Sequence, residues 1–462
     1  MTPTPGTTVG TATDVNVAAL EARLLGRLIR PDDRDYDEAR QVMNALIDRR
    51  PDYIVRAADA ADVIRAIEFA RSNNLPLAVR SSGHSFSGHG TVDDGVVVDL
   101  SEMNAISVDP GRRTVWAQPG ATSADLAAAT QPHGLAFSTG DTGSVALGGL
   151  ATGGGIGLLS RKFGLSIDSL RAVELVTADS RLIVADAAQH PDLFWAIRGG
   201  GGNFGIVTGF EFDLHPVGMV LGGALILPAT TQVIRRFADY AVTAPDELTM
   251  IGSMMRTPPL PMIPAEMHGK PAFFILACYA GDLEEGERVM APLRELAAPI
   301  ADTIHPMPYS DIFKLGGEGS QPSPITIKGG FVDELSDGAI ETLLDDLFTA
   351  FDPFAMVQLR PLGGAIARLP NDATAFAHRD KSFALALINI GVERENQQWV
   401  DRMWGALKPE VSGAYVNFVG DEGQSRVADA YPPETYARLA EVKRQYDPTN
   451  LFKLNQNIQP TE

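Results

Sequence analysis

Cysteine is almost missing from this chain: Cys278 is the single one among 462 residues. A lone thiol closes no internal disulfide and excludes cysteine-rich metal sites. It stands in the apolar run 273–279, where a buried structural thiol is expected rather than a reactive one. The eight histidines are scattered and no His-x-x-x-His pair occurs, so no metal centre is expected. No Gly-Lys-Ser or Gly-Lys-Thr occurs, which excludes a P-loop. No apolar run approaches the roughly 20 residues of a membrane-spanning helix. Residues 1–14 are rich in Thr, Pro and Gly, without a basic start followed by an apolar segment. They are expected to fray, with a cytoplasmic location as the default. Positive charge is also short: 38 Lys and Arg face 58 Asp and Glu, a formal net charge of −20. Such a surface repels nucleic acid and anionic membranes, leaving small molecules as the expected partners. Oligomeric state is left open.

What is present points to two domains, since 462 residues exceed a single ordinary core. Residues 75–79, 96–98, 114–117, 173–177, 182–185 and 204–214 read as strands. Residues 62–71 and 123–129 carry helical spacing. After Pro216, strand-like runs at 222–227, 273–278, 356–359 and 383–390 alternate with helical stretches at 232–242, 284–296, 339–348 and 395–407. The pattern predicts an α+β protein. Its first domain spans 1–216 and its second spans 217–412 as a sheet covered by helices. Proline-rich stretches at 258–264 and 322–324 are read as loops bordering a pocket, with residues 258–325 shaping it.

The chemistry concentrates in three glycine-rich clusters. The first, Arg80-Ser81-Ser82-Gly83-His84-Ser85, follows a strand, and its small residues allow a tight bend that presents N–H groups to a diphosphate. His84 stands there as an unshielded imidazole, a candidate for a covalent bond to a cofactor. The second cluster runs from Gly148 to Gly157 and the third from Gly199 to Gly205. Neither has the strand, Gly-x-Gly-x-x-Gly, helix order of a Rossmann site. Together they read as several loops converging on one large anionic cofactor.

These motifs, with Arg161-Lys162-Phe163-Gly164-Leu165, the 192–205 stretch and the closing Asn455-Gln456-Asn457-Ile458, resemble the berberine-bridge-enzyme-like FAD-linked oxidases. That family lies within the vanillyl-alcohol-oxidase superfamily, with a PCMH-type FAD-binding domain. The resemblance implies FAD bonded through its 8α-methyl to His84, and a segment 413–462 that returns to the first domain. It implies that Arg80, Ser81, Ser82, Gly83, Ser85, Gly143, Val145, Gly148, Gly149, Thr152, Gly153, Gly157 and Val207 line the diphosphate, ribose and ring. Thr142 falls where doubly linked relatives carry a second, cysteinyl link, so a single bond is expected. Val145 falls at the position that admits or excludes dioxygen, and valine resembles the permissive type; it equally reads as simple packing. Tyr415-Val416-Asn417-Phe418 resembles a Tyr-x-Asn-Tyr/Phe segment. Tyr415 then serves either as catalytic base or as a cofactor contact, Asn417 holds the flavin side, and Asn455 belongs to the closing motif at the cofactor. His378 is read as structural, with a polar pocket contact as the alternative.

The implied activity is oxidation of an alcohol, sugar or secondary-metabolite hydroxyl, with dioxygen reduced to hydrogen peroxide. An amine is the second choice of substrate. A flavin dehydrogenase with another acceptor, and a flavoprotein that sequesters a toxic metabolite, are the alternatives. A structural protein without flavin is the third reading.

Overall fold

In this computed structural model, residues 12–316, 321–349, 354–420 and 422–461 are described. Most of the segment expected to fray, residues 1–11, lies outside them. The first half builds two small sheets. In one, strand Val96–Asp99 lies between Tyr53–Arg56 and Leu77–Arg80, parallel to both, and Arg27–Ile29 adds an antiparallel edge. All four residues of Val96–Asp99 are buried, as expected of a strand covered on both faces. Helix Ala60–Ser72 covers this sheet with Val63, Ala66 and Ile67, and Asp59 caps it by accepting from Asp62 N–H.

The second sheet has five antiparallel strands in the order Ile106–Asp109, Thr114–Ala117, Ile206–Asp213, Leu170–Val176, Leu182–Asp186. Helix Pro191–Gly200 packs on it through Leu193, Phe194 and Ile197. So does the returning segment, through Val416, Val427, Leu439 and Ile458. The α+β reading is the observed architecture.

Residues from Met219 to Ile390 form one large antiparallel sheet. Its central run is Met219–Pro228, Pro271–Tyr279, Leu248–Arg256, Met356–Pro361, Phe383–Ile390 and Ile325–Val332. Four helices, Thr231–Thr243, Leu283–Arg294, Asp337–Thr349 and Arg394–Leu407, share one core with one face of it. Successive side chains on a strand point to opposite faces. Val357, Leu359, Leu385 and Leu387 therefore enter that core, while Gln358, Arg360, Ala386 and Ile388 face the first half of the chain.

One expectation is corrected here. The second glycine cluster is not a loop throughout: Gly148 to Gly153 lie in helix Leu147–Gly153. Glycine in a helix is tolerated where backbone contact needs the space, and a Cβ on Gly148 would stand 2.1 Å from Ser81 Oγ.

Candidate active site

Between the two halves lies a cavity of about 430 Å³. Strand Leu77–Arg80 ends at its edge, and the chain turns there through Ser81 to Ser85, with Gly83 at φ +74°. Gly83 C=O accepts from Met43 N–H at 3.0 Å, and Ser82 Oγ accepts from Ala146 N–H at 2.9 Å. The turn is thereby held against the start of helix Leu147–Gly153. His84 projects into the cavity with Nε2 3.2 Å from Ser144 Oγ. Burial pushes the imidazole pKa below its ordinary value, with the Ser144 backbone pulling the other way, so the neutral ring is favoured.

Of the residues expected at the cofactor, Arg80, Ser81, Ser82, Gly83, His84, Ser85, Thr142, Val145, Gly148, Gly149, Thr152, Val207, Tyr415, Asn417 and Asn455 line this cavity. Gly143, Gly153 and Gly157 stand behind its wall. Gly143 packs on Ala124 and Phe313. A Cβ on Gly157 would lie 1.9 Å from Thr139 O, and one on Gly153 would lie 2.3 Å from Asn417 Oδ1. At these glycines the space of a side chain is taken by neighbouring chain. Arg80 reaches the cavity only with its flank. Its guanidinium donates to Asp99 at 2.8 Å and to Gln41 C=O at 3.1 Å.

Tyr415 is buried, and its Oη accepts from Gly155 N–H at 2.9 Å and from Asn417 Nδ2 at 2.9 Å, with Ile156 N–H at 3.4 Å. Burial pushes the phenol above its ordinary pKa, while those donors and the Arg360 charge pull it down. Three incoming donors are the setting that a developing phenolate needs. His378 lies outside this cavity: its Nε2 is 3.0 Å from Ala430 C=O and its ring packs on Phe331. Cys278 is fully buried, away from the cavity, with its thiol pushed up to about 12.

Among the described residues, none from 258 to 325 lines the cavity, so neither proline-rich stretch borders it. The wall facing the first half comes instead from the large sheet, through Ile327, Gln358, Arg360, Ala386 and Ile388. Sequence reasoning missed these residues. A signal existed: Phe383–Ile390 is apolar at nearly every position, which marks a strand covered on both faces.

The cavity suits a flavin dinucleotide. Gly149, Gly201 and Gly202 line it, and a Cβ on any of them would meet nothing within 4 Å. The absent side chains leave room along a wall of backbone and small hydroxyls, and Asn455 there keeps a buried Oδ1 without a partner. Residues 51–186 match the family model of an FAD binding domain, and residues 414–459 match that described as berberine and berberine like. Fold and site thus define an FAD-linked oxidoreductase.

An uncharacterised FAD-linked oxidoreductase of Bacillus subtilis is 33% identical over 459 residues, covering 95% of this chain and 98% of that one. The (R)-6-hydroxynicotine oxidase of Paenarthrobacter nicotinovorans is 30% identical over 461 residues, covering 94% and 97%. The crystal structure of 6-hydroxy-D-nicotine oxidase from Arthrobacter nicotinovorans superposes with a TM-score of 0.85 at 26% identity, covering 95% and 98%. The chain belongs to the berberine-bridge-enzyme-like family of FAD-linked oxidoreductases.

No helix among the described residues is long and apolar enough to cross a membrane.

Proposed function

We propose that the protein is an oxidase that holds FAD by a single covalent bond, through His84, and oxidises the hydroxyl-bearing carbon of a small molecule. The observation that carries this reading is the His84 imidazole on the cavity wall, in the same cavity as a tyrosine whose oxygen gathers three N–H donors. FAD held in this cavity would supply the hydride acceptor for the substrate carbon, with dioxygen as the final acceptor of the two electrons to give hydrogen peroxide. Tyr415 takes the proton of the substrate hydroxyl, so the alcohol leaves as a carbonyl compound. Gly155, Ile156 and Asn417 hold Tyr415 Oη in place and support its negative charge. Ser81, Ser82, Gly149 and Thr152 cradle the dinucleotide, largely through backbone and hydroxyl groups. Thr142 offers no second bond, and Val145 leaves one face open to dioxygen. The named oxidase relative, (R)-6-hydroxynicotine oxidase, supports the oxidase reading.

The bond is tested by digesting the denatured protein and weighing the peptide that contains residue 84. Added dinucleotide mass is expected on it. In His84→Ala, acid precipitation should release all the yellow colour into the supernatant. Colour kept in the mutant pellet would overturn the assignment. Reoxidation of the reduced protein in air then separates oxidase from dehydrogenase: return of the yellow colour within seconds is expected, and a return over many minutes would favour another acceptor.

A further inference from the structure

The wall formed by the large sheet carries two polar side chains two residues apart on one face of strand Met356–Pro361, Gln358 and Arg360, and the first half of the chain answers them with Asp141. Arg360 Nη1 donates to Asp141 Oδ2 at 2.6 Å, and Nη2 donates to Gln358 Oε1 at 2.8 Å. The guanidinium lies 4.9 Å from the centre of the Phe418 ring, and the Arg360 residue is 6% exposed. A guanidinium has five N–H bonds. Two are used by protein acceptors, and Nε has no partner among the described residues. Asp141 immediately precedes Thr142, and both line the cavity. The rest of the same wall is apolar: Ile327, Ala386 and Ile388.

We propose that the Asp141–Arg360 pair sets substrate choice, admitting a neutral, mostly apolar alcohol with one oxygen acceptor for the guanidinium and rejecting anions and polyols. This rests on the oxidase reading above. The argument is one of charge and count. Asp141 already neutralises Arg360, so a substrate carboxylate would bring an uncompensated charge against the apolar patch of Ile327, Ala386 and Ile388. A saccharide brings many hydroxyls to a wall that offers the three remaining N–H bonds of Arg360 and otherwise Ile327, Ala386 and Ile388, and each hydroxyl buried without a partner is penalised. A flat apolar body on Ile327, Ala386 and Ile388 suffers neither penalty.

The holoenzyme is mixed anaerobically with 4-methylbenzyl alcohol, 4-(hydroxymethyl)benzoate, cellobiose and 4-methylbenzylamine, following both flavin bleaching and the perturbation of its visible spectrum. The neutral alcohol should act at least 10-fold more efficiently than each of the others. Asp141→Asn leaves the Arg360 charge uncompensated and should reverse the order of alcohol and benzoate through KM, with the flavin still bonded. Asp141→Asn/Arg360→Gln, neutral again, should lose the preference for the benzoate. Cellobiose, the benzoate or the amine as best wild-type ligand would overturn the proposal while leaving the oxidoreductase intact. An Asp141→Asn variant that keeps full flavin content without a shift toward the benzoate would overturn it as well. If the alcohol perturbs the spectrum without bleaching it, the substrate inference stands and the proposed reaction fails. If no compound does either, the inference is overturned.

Discussion

Tyr415 carries opposing demands. Its burial disfavours the phenolate, and the groups around its oxygen favour it. The net direction is upward from the ordinary value of 10.0, so only a small fraction is ionised near neutrality. As base, that fraction grows about tenfold per pH unit below the pKa. The rate of flavin reduction by substrate should therefore climb steadily from pH 7 to pH 9.5 in the wild type. Tyr415→Phe should reduce that rate by roughly 100-fold or more and flatten the slope. It should also cost about 1–3 kcal/mol of stability, because Gly155 N–H is left buried without an acceptor. Stopped-flow reduction at several pH values, with the flavin still attached, checks the rate. A variant with an unchanged rate and slope would leave Tyr415 as a cofactor contact only.

At the scale of elements, the returning segment depends on one buried ion pair. Lys443, on helix Pro433–Tyr446, donates to Asp447 at 2.6 Å, to Asn203 C=O at 2.7 Å and to Phe452 C=O at 2.9 Å. Asp447 in turn accepts from Leu451 and Phe452 N–H, each at 2.8 Å. Both side chains are fully buried. Lys443→Met strands the carboxylate and should cost about 3–5 kcal/mol, read by urea unfolding, with less flavin incorporated. In the sequence Lys443 looks like one more charge on a polar helix, because its partners sit at positions 203, 447 and 452. The same limit applied to the site. The turn at 80–85, the glycine clusters and the 415–417 segment were legible, since their small residues and spacing are local signals. Strand Leu248–Arg256 was not, because Met250, Met254 and Gly252 give weak strand preference and only the neighbouring strands hold it. Arg360 was missed for a similar reason. Its meaning comes from Asp141, which is 219 residues away.

For the whole molecule, acid is the expected weakness. Burial lowers the pKa of His215 and His378 from the ordinary 6.5, so the folded state holds both rings neutral. Below that value the unfolded chain takes up protons that the folded one resists, and stability falls as pH drops through the window beneath 6.5. Asp99 has the opposite chemistry and the same sign. Held low by Arg80 against its own burial, it weakens the fold only under stronger acid, below the ordinary 3.8. The melting temperature should therefore be lower at pH 5.5 than at pH 7.5, before any carboxylate contributes. Equal midpoints at the two pH values would contradict this assignment of the buried histidines.

The cavity wall draws on Leu77 near one end of the chain and on Phe452 to Gln456 near the other. A ribosome releases these segments hundreds of residues apart, and the nascent polypeptide has no enclosed berth for a dinucleotide until position 456 has emerged. Capture of the vitamin-derived group therefore has to wait for synthesis through position 456, which brings both segments to the cavity.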